Sequence, residues 1–304
     1  VSTNPFGSDQ DGASRRGTGF HWWIIIVFLL YAGYYWFSNR EQSPYTGREQ
    51  LIATGPQEEA ALGLEAYKQV LSQSQVVTSG AEPARINAIA QRLEAVAPKV
   101  EADLAAEKGV KSHTDWSSFD WQVSVLQSDE VNAFCLPGGK IAVYTGLLPV
   151  AQNDDALAVV MGHEISHALL RHGAERMAQQ NLAQMATIAT GLAAGNMDPQ
   201  QQRMVMGALG VGTQFGVLLP FSRKDESEAD EIGLMLAAAA CYNPEEAIPL
   251  WQRMEQQGNG QRPPEFMSTH PNPGNRIKAL QGLMPKALAF RQKYCPNQPP
   301  VPAQ

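Results

Sequence analysis

Asp154-Asp-Ala-Leu-Ala-Val-Val-Met-Gly-His163-Glu-Ile-Ser-His167-Ala-Leu-Leu-Arg171 is the stretch from which the rest of the chain can be read. Its apolar residues Leu157, Val160, Met161, Ile165, Ala168 and Leu169 recur at spacings of three and four, which predicts a helix. Asn153 supplies a cap and Asp154 a negative first turn. Positions i and i+4 share one helical face, so His163 and His167 can direct two imidazole nitrogens at one ion, with Glu164 beside them. Zinc takes such nitrogens at about 2.0–2.1 Å, and a third protein ligand leaves one position for water. His172, five residues beyond His167, would stand about 140° around a continuing helix. It therefore reads as a surface or helix-end histidine, on a helix running on through Gln180.

The 304 residues are enough for one large domain or two small ones, and 44% apolar content is ordinary for a globular protein. A formal net charge of −7 and the lack of a basic patch exclude a nucleic-acid partner. Three cysteines are too few for a disulfide scaffold, and none sits in a CxxC pair. Cys241 and Cys295 are the favoured pair, because Cys135 falls in a stretch read as active-site wall.

Upstream, residues 1–19 read as a disordered tail. Residues 20–37 carry no formal charge and hold Trp22, Trp23, Tyr34, Tyr35 and Trp36 at the two ends, which predicts an uncleaved transmembrane helix with interfacial aromatics. Arg15 and Arg16 before it nearly balance Arg40 and Arg48 after it, so charge alone sets the orientation weakly. Residues 38–56 read as a linker, and residues 57–290 as the folded domain. That domain opens with a helix from Glu58 to about Gln73 and a second from Pro83 that ends before Pro98.

The period then changes. Trp121, Val123 and Val125 alternate as in a half-buried strand, and Pro137-Gly138-Gly139 forms a turn into the β-rich run Ile141, Ala142, Val143, Tyr144 and Thr145. This last run is expected to be an edge strand that could hold an extended peptide by main-chain hydrogen bonds; the alternative is a plain structural hairpin. The expected fold class is mainly α with a small β-sheet (α+β). Residues 181–220, rich in Ala, Gly and Met, read as a close-packed or mobile helical pair near the site, and Trp251 and Met254 as core filling. The C-terminal residues 291–304 read as a tail.

Glu226 and Asp230 stand four apart at the start of an Ala-rich helix. Glu226 is the candidate third metal ligand, and Asp230 could accept the free N–H of a ligand histidine. Glu228 faces elsewhere on such a helix.

Asn132-Ala-Phe, Pro137-Gly-Gly, Thr145-Gly, His163-Glu-Ile-Ser-His167, Glu226-Ser-Glu-Ala-Asp230 and Ser268-Thr-His-Pro with Arg276 occur in that order. Together this set resembles the zinc metallopeptidase family that includes the CAAX prenyl protease and the bacterial HtpX protease. With its single N-terminal anchor the chain is most similar to the bacterial periplasmic members and the mitochondrial inner-membrane stress protease. The resemblance implies a zincin-type metalloprotease domain with one Zn2+ per chain on His163, His167 and Glu226. It implies Glu164 as the general base that activates a zinc-bound water, and importance for Asp230, His270 and Arg276. His270 could hydrogen-bond the tetrahedral intermediate or occupy the fourth metal position. Arg276 could orient a ligand carboxylate or the developing oxyanion.

The expected function is endopeptidase action on unfolded or misassembled envelope proteins. The expected location is a bacterial inner membrane, crossed once, with the catalytic domain facing the periplasm. The alternative is a membrane-tethered chaperone or binding module with a latent, His270-blocked zinc site. Polypeptides and the membrane are the implied partners, and the sequence carries no signal for an oligomeric state.

Overall fold

The computed structural model describes residues 21–193, 222–258, 265–270 and 275–299. The expected N-terminal tail, most of the 181–220 segment, residues 271–274 and the last residues lie outside these. The described chain is mainly helical with two small sheets.

Helix α5, Asp154–Leu169, is the central element: every residue from Ala156 to Leu169 is buried. Its start follows the expected chemistry, since the Asn153 side chain accepts a hydrogen bond from the Ala156 N–H. Around it lie α2 (Pro56–Gln73), α3 (Ala81–Lys108), α4 (Leu148–Ala151) and α6 (His172–Ala193). Further along come α7 (Arg223–Ala239), α8 (Ala247–Gly258), α9 (Glu265–Thr269) and α10 (Arg276–Tyr294). Contrary to the sequence reading, α3 runs through Pro98. Pro98 removes one helical N–H, but Ala97, Val100 and Leu104 continue the buried face begun by Ile86, Ile89 and Leu93, and this packing carries the helix on to the left-handed Gly109.

The larger sheet has strand order β3 (Gln122–Leu126), β5 (Lys140–Tyr144), β4 (Ala133–Leu136). β3 runs parallel to β5, and β4 antiparallel to it. The expected edge strand is therefore the middle one. Ile141, Ala142, Val143 and Tyr144 are paired on both sides, and Thr145 lies in a 3-10 turn, so none of them offers a free main-chain ladder. The open edge belongs to β4. Pro137 followed by Gly138 at φ +76, with Gly139 N–H bonding back to Leu136 O, makes the tight turn between the two strands.

The N-terminal helix α1, Trp22–Ser38, has 17 residues and buries none of them. That length rises about 25 Å, short of the roughly 30 Å hydrocarbon core of a bilayer. Among the described residues no helix is long and apolar enough to cross a membrane. The expected span is therefore not confirmed. α1 lies along α6, with the His21 N–H bonding to Ala193 O. The stretch read as a linker contains an antiparallel hairpin, β1 (Arg40–Gln42) and β2 (Glu49–Leu51), with Tyr45 and Leu51 buried.

Two glycines set how α5 meets α7. A Cβ on Gly162 would stand 2.7 Å from Gly233 O, and one on Gly233 would stand 2.6 Å from His163 N. The two backbones touch there, immediately before the first histidine of the motif. Further along, Cys241–Cys295 form a disulfide with a Cα–Cα distance of 5.7 Å, tying the end of α7 to the end of α10, as the cysteine reading favoured.

Gly233→Ala is expected to lower stability by about 1–3 kcal/mol, because backbone rather than a flexible side chain must move. Gly282→Ala in α10, where an added Cβ meets nothing within 4 Å, should be neutral or stabilising by roughly 0.5–1 kcal/mol. Urea unfolding of the two variants against the parent checks the contrast.

Candidate metal centre

One helix supplies the first two imidazoles and a second supplies the carboxylate. α7 begins with a capping box: Ser222 Oγ accepts from Asp225 N–H, and Asp225 Oδ2 accepts from Ser222 N–H. That cap fixes the first turn, so Glu226 and Asp230 project side by side toward α5. From the other side His270 follows directly on the end of α9, and α10 begins at Arg276.

His163, His167, Glu226 and His270 each bring a ligand atom to within 4.8 Å of the others, and all four are buried. His163 Nε2 lies 3.2 Å from His167 Nε2, 3.4 Å from His270 Nδ1 and 3.5 Å from Glu226 Oε2. Glu226 Oε1 lies 3.4 Å from His167 Nε2 and 3.0 Å from His270 Nδ1. These separations test whether a zinc ion fits. Bonds of 2.0–2.1 Å in a tetrahedron put neighbouring ligand atoms about 3.3–3.4 Å apart, close to the spacing found. Three imidazole nitrogens also face one another at a single point, where one proton cannot satisfy them all. A cation can. Three nitrogens and one carboxylate oxygen form a donor set suited to zinc.

The outer contacts are equally definite. His163 Nδ1 lies 3.0 Å from Asp230 Oδ1. Arg276 donates from Nε to Asp230 Oδ2 and from Nη2 to Glu226 Oε2, both at 2.6 Å. Its guanidinium carbon sits 3.8 Å from the centre of the Trp251 ring. Of the two expected roles for Arg276, the geometry fits the orienting of a ligand carboxylate. Arg276 is buried beneath Trp251 with both carboxylates in its grip, and Trp251 does more than fill core space.

Charge follows from this arrangement. Burial works against ionisation of Glu226, but hydrogen bonds from His163, His167 and His270 hold its carboxyl far below the usual range. Burial likewise opposes a charge on His163, yet Asp230 and Glu226 beside it raise its pKa to about 10. His167 is pushed well below the ordinary histidine value by burial. Glu164 is also buried, and burial raises its carboxyl although His270 and His163 pull the other way. Glu164 Oε1 has no hydrogen-bond partner and lies 3.5 Å from His270 Nε2.

Glu164, His167 and His270 open onto a cavity of about 330 Å³ whose opposite wall is β4, with Asn132, Phe134, Cys135 and Tyr144. Cys135 is a buried free thiol in that wall. Tyr144 N–H bonds to Asn132 O. Alternation along β4 then turns the main-chain groups of Ala133 and Cys135 away from β5.

Sequence reasoning missed His172. It is fully buried, its Nδ1 3.0 Å from His167 Nδ1 and its Nε2 3.2 Å from Glu228 Oε2. The extrapolated 140° failed because α5 stops at Leu169 and Arg171 takes φ +54 before α6 begins. The Arg171 guanidinium is held there by Glu41, Glu59 and Thr54 O. Glu228 likewise faces a partner rather than solvent. The available signal was the non-helical junction between the two helices, which Leu170-Arg171 does not announce.

Residues 90–284 match peptidase family M48. The chain is 32% identical over 276 residues to the mitochondrial metalloendopeptidase OMA1 of Schizosaccharomyces pombe, covering 89% of this chain and 74% of that one. It is 32% identical over 281 residues to the human metalloendopeptidase OMA1, covering 90% of this chain but only 51% of the relative. Against the beta-barrel assembly-enhancing protease of Escherichia coli it is 31% identical over 171 residues, 55% of this chain and 35% of the other. The converging histidines and carboxylates thus lie within a matched region of recognised peptidases, and the chain belongs to peptidase family M48 as a zinc metalloendopeptidase.

Proposed function

We propose that this chain cleaves unfolded or misassembled envelope proteins beside a membrane, with His163, His167 and Glu226 holding the zinc and Glu164 as general base. The observation that carries this reading is the tetrahedral spacing of the ligand atoms next to the unbonded Glu164 Oε1, both at the wall of one cavity. When bound, zinc supplies a Lewis acid that lowers the pKa of water toward neutrality and polarises a scissile carbonyl. The chain's own groups do the rest. Glu164 takes a proton at Oε1 and returns it to the leaving amine. Asp230 Oδ1, 3.0 Å from His163 Nδ1 though off the line of a hydrogen bond, favours the proton on that nitrogen and so leaves the Nε2 lone pair to the ligand cluster. Arg276 holds Glu226 and Asp230 in register and so acts by positioning.

An extended substrate would lie along the open edge of β4, using the main-chain groups of Cys135 and the carbonyl of Ala133, whose N–H is taken by Asn132 Oδ1. This replaces the Ile141–Thr145 strand of the sequence reading. The exposed aromatic and aliphatic face of α1, with Trp22, Trp23, Leu30 and Phe37, supports membrane association. The Escherichia coli relative, named for enhancing β-barrel assembly, supports a substrate among misassembled proteins.

The position of His270 favours a second reading for the resting state. Its Nδ1 stands among the ligand atoms, at 3.0 Å from Glu226 Oε1, where the fourth corner would be. A site closed in this way would be latent, and the domain would bind polypeptide before cutting it.

Glu164→Gln should keep its zinc while losing at least about 10²-fold in kcat on an unfolded protein substrate; unchanged turnover removes Glu164 from the mechanism. His270→Ala should raise turnover of the same substrate severalfold if the fourth corner is blocked. A fall instead would give His270 the role of assisting the reaction.

A further inference from the structure

His172, Asp225 and Glu228 form a second cluster of metal-binding residue types, but its cation is already in place. Arg48, in the turn of the β1–β2 hairpin, donates to Glu175 from Nη1 and Nη2 at 2.6 and 2.7 Å. It also donates to Glu228 from Nε and Nη2 at 2.6 and 2.8 Å, and lies 3.7 Å from Asp225 Oδ1. Gln50 on β2 completes the cluster, donating to Glu175 Oε2 and to Leu170 O. A guanidinium gripping two carboxylates by paired N–H groups is a rigid, directional contact. Here it joins three elements: the hairpin, α6 through Glu175 and α7 through Glu228.

The hydrogen bonds beyond Glu228 run toward the metal centre in one consistent sense. With His167 Nε2 turned to the ligand cluster, its proton is on Nδ1, which faces His172 Nδ1 at 3.0 Å. His172 Nδ1 must then accept, so the His172 proton is on Nε2. That nitrogen lies 3.2 Å from Glu228 Oε2, an oxygen that also accepts from Arg48. Each group in the series His167, His172, Glu228 and Arg48 therefore has one compatible role. Asp230 serves His163 in the same way on the other side of the cluster. A ligand histidine held through its second nitrogen keeps its tautomer and ring orientation.

We propose that His172 is a positioning residue of the metal centre, and that through Glu228 it ties the ligand His167 to Arg48 on the hairpin that follows α1. The inference rests on the ligand set proposed above. It makes the hairpin next to α1 part of the frame that sets metal affinity, although no hairpin residue reaches the ligand atoms.

Zinc affinity of the full chain, measured by competition with a chromophoric chelator, tests this. His167→Ala reports on the ligand set itself: if it binds zinc as the parent does, the ligand assignment falls and not this inference alone. Given loss in His167→Ala, His172→Phe should weaken zinc binding by about 10–100-fold. Arg48→Met should weaken it severalfold, and the double variant should lose no more than roughly the larger single loss. The d–d absorption bands of the Co2+-loaded protein should shift in both single variants. A His172→Phe protein with affinity within twofold of the parent and unmoved Co2+ bands, whatever its melting temperature, overturns the proposal. If His172→Phe does not fold, Glu228→Gln is read against the same two criteria.

Discussion

The contact between Gly162 and Gly233 is the constraint on which the rest depends. Two helices carry the proposed first ligands, and their backbones meet at the residue before His163, with no side chain between them. A glycine in a helix interior costs about 1 kcal/mol relative to alanine, and both helices bear that cost at the same place. The result is a crossing close enough for carboxylate oxygens from α7 to stand 3.4–3.5 Å from imidazole nitrogens on α5. Had either position carried a methyl group, Glu226 would have been displaced from His163 and His167 together.

Around that crossing, buried charge is arranged in alternation. Glu226 and Asp230 are held by Arg276, which lies flat against Trp251; Glu175 and Glu228 are held by Arg48. Isolated buried carboxylates would protonate or draw in water, and the two guanidiniums prevent this, Arg276 by bonding Glu226 directly and Arg48 one residue further out, through Glu228. Guanidinium suits the task because its planar fork satisfies two acceptors at once and it stays ionised. The imidazole cluster is left as the place where a further positive charge is accepted. The sheet adds the remaining component, an open β4 edge on the far wall of the same cavity.

Much of this was legible in the sequence where local spacing decides geometry. His163 and His167 share a face because four residues make one turn, and Glu226 with Asp230 repeats the rule on α7. The cap at Asn153 and the turn at Pro137-Gly138 follow from their own side chains and backbone freedom. Legibility ended where tertiary packing overrules the local signal. Pro98 reads as a stop, yet the buried face of α3 carries the helix past it. β5 reads as an edge because the sequence shows only a hairpin leading into the His163 helix, but β3 pairs with it across a gap in sequence that no local pattern reveals. The burial of His172 depends on one left-handed residue, Arg171, fixed by Glu41 and Glu59 from distant elements. α1 was read from its aromatic ends, and its 17-residue length became visible only with the break at Asn39.

The central claim is that the zinc of this peptidase sits on the imidazoles and carboxylate gathered at the α5–α7 crossing. Zinc K-edge X-ray absorption of the purified protein addresses it directly. The account predicts a first shell of nitrogen and oxygen alone at about 2.0–2.1 Å, with multiple-scattering features of the two imidazoles of His163 and His167, and of a third, lost in His270→Ala, where His270 closes the resting site. A sulfur neighbour at about 2.3 Å, which would bring in Cys135, or an imidazole count that His167→Ala leaves unchanged, would contradict it.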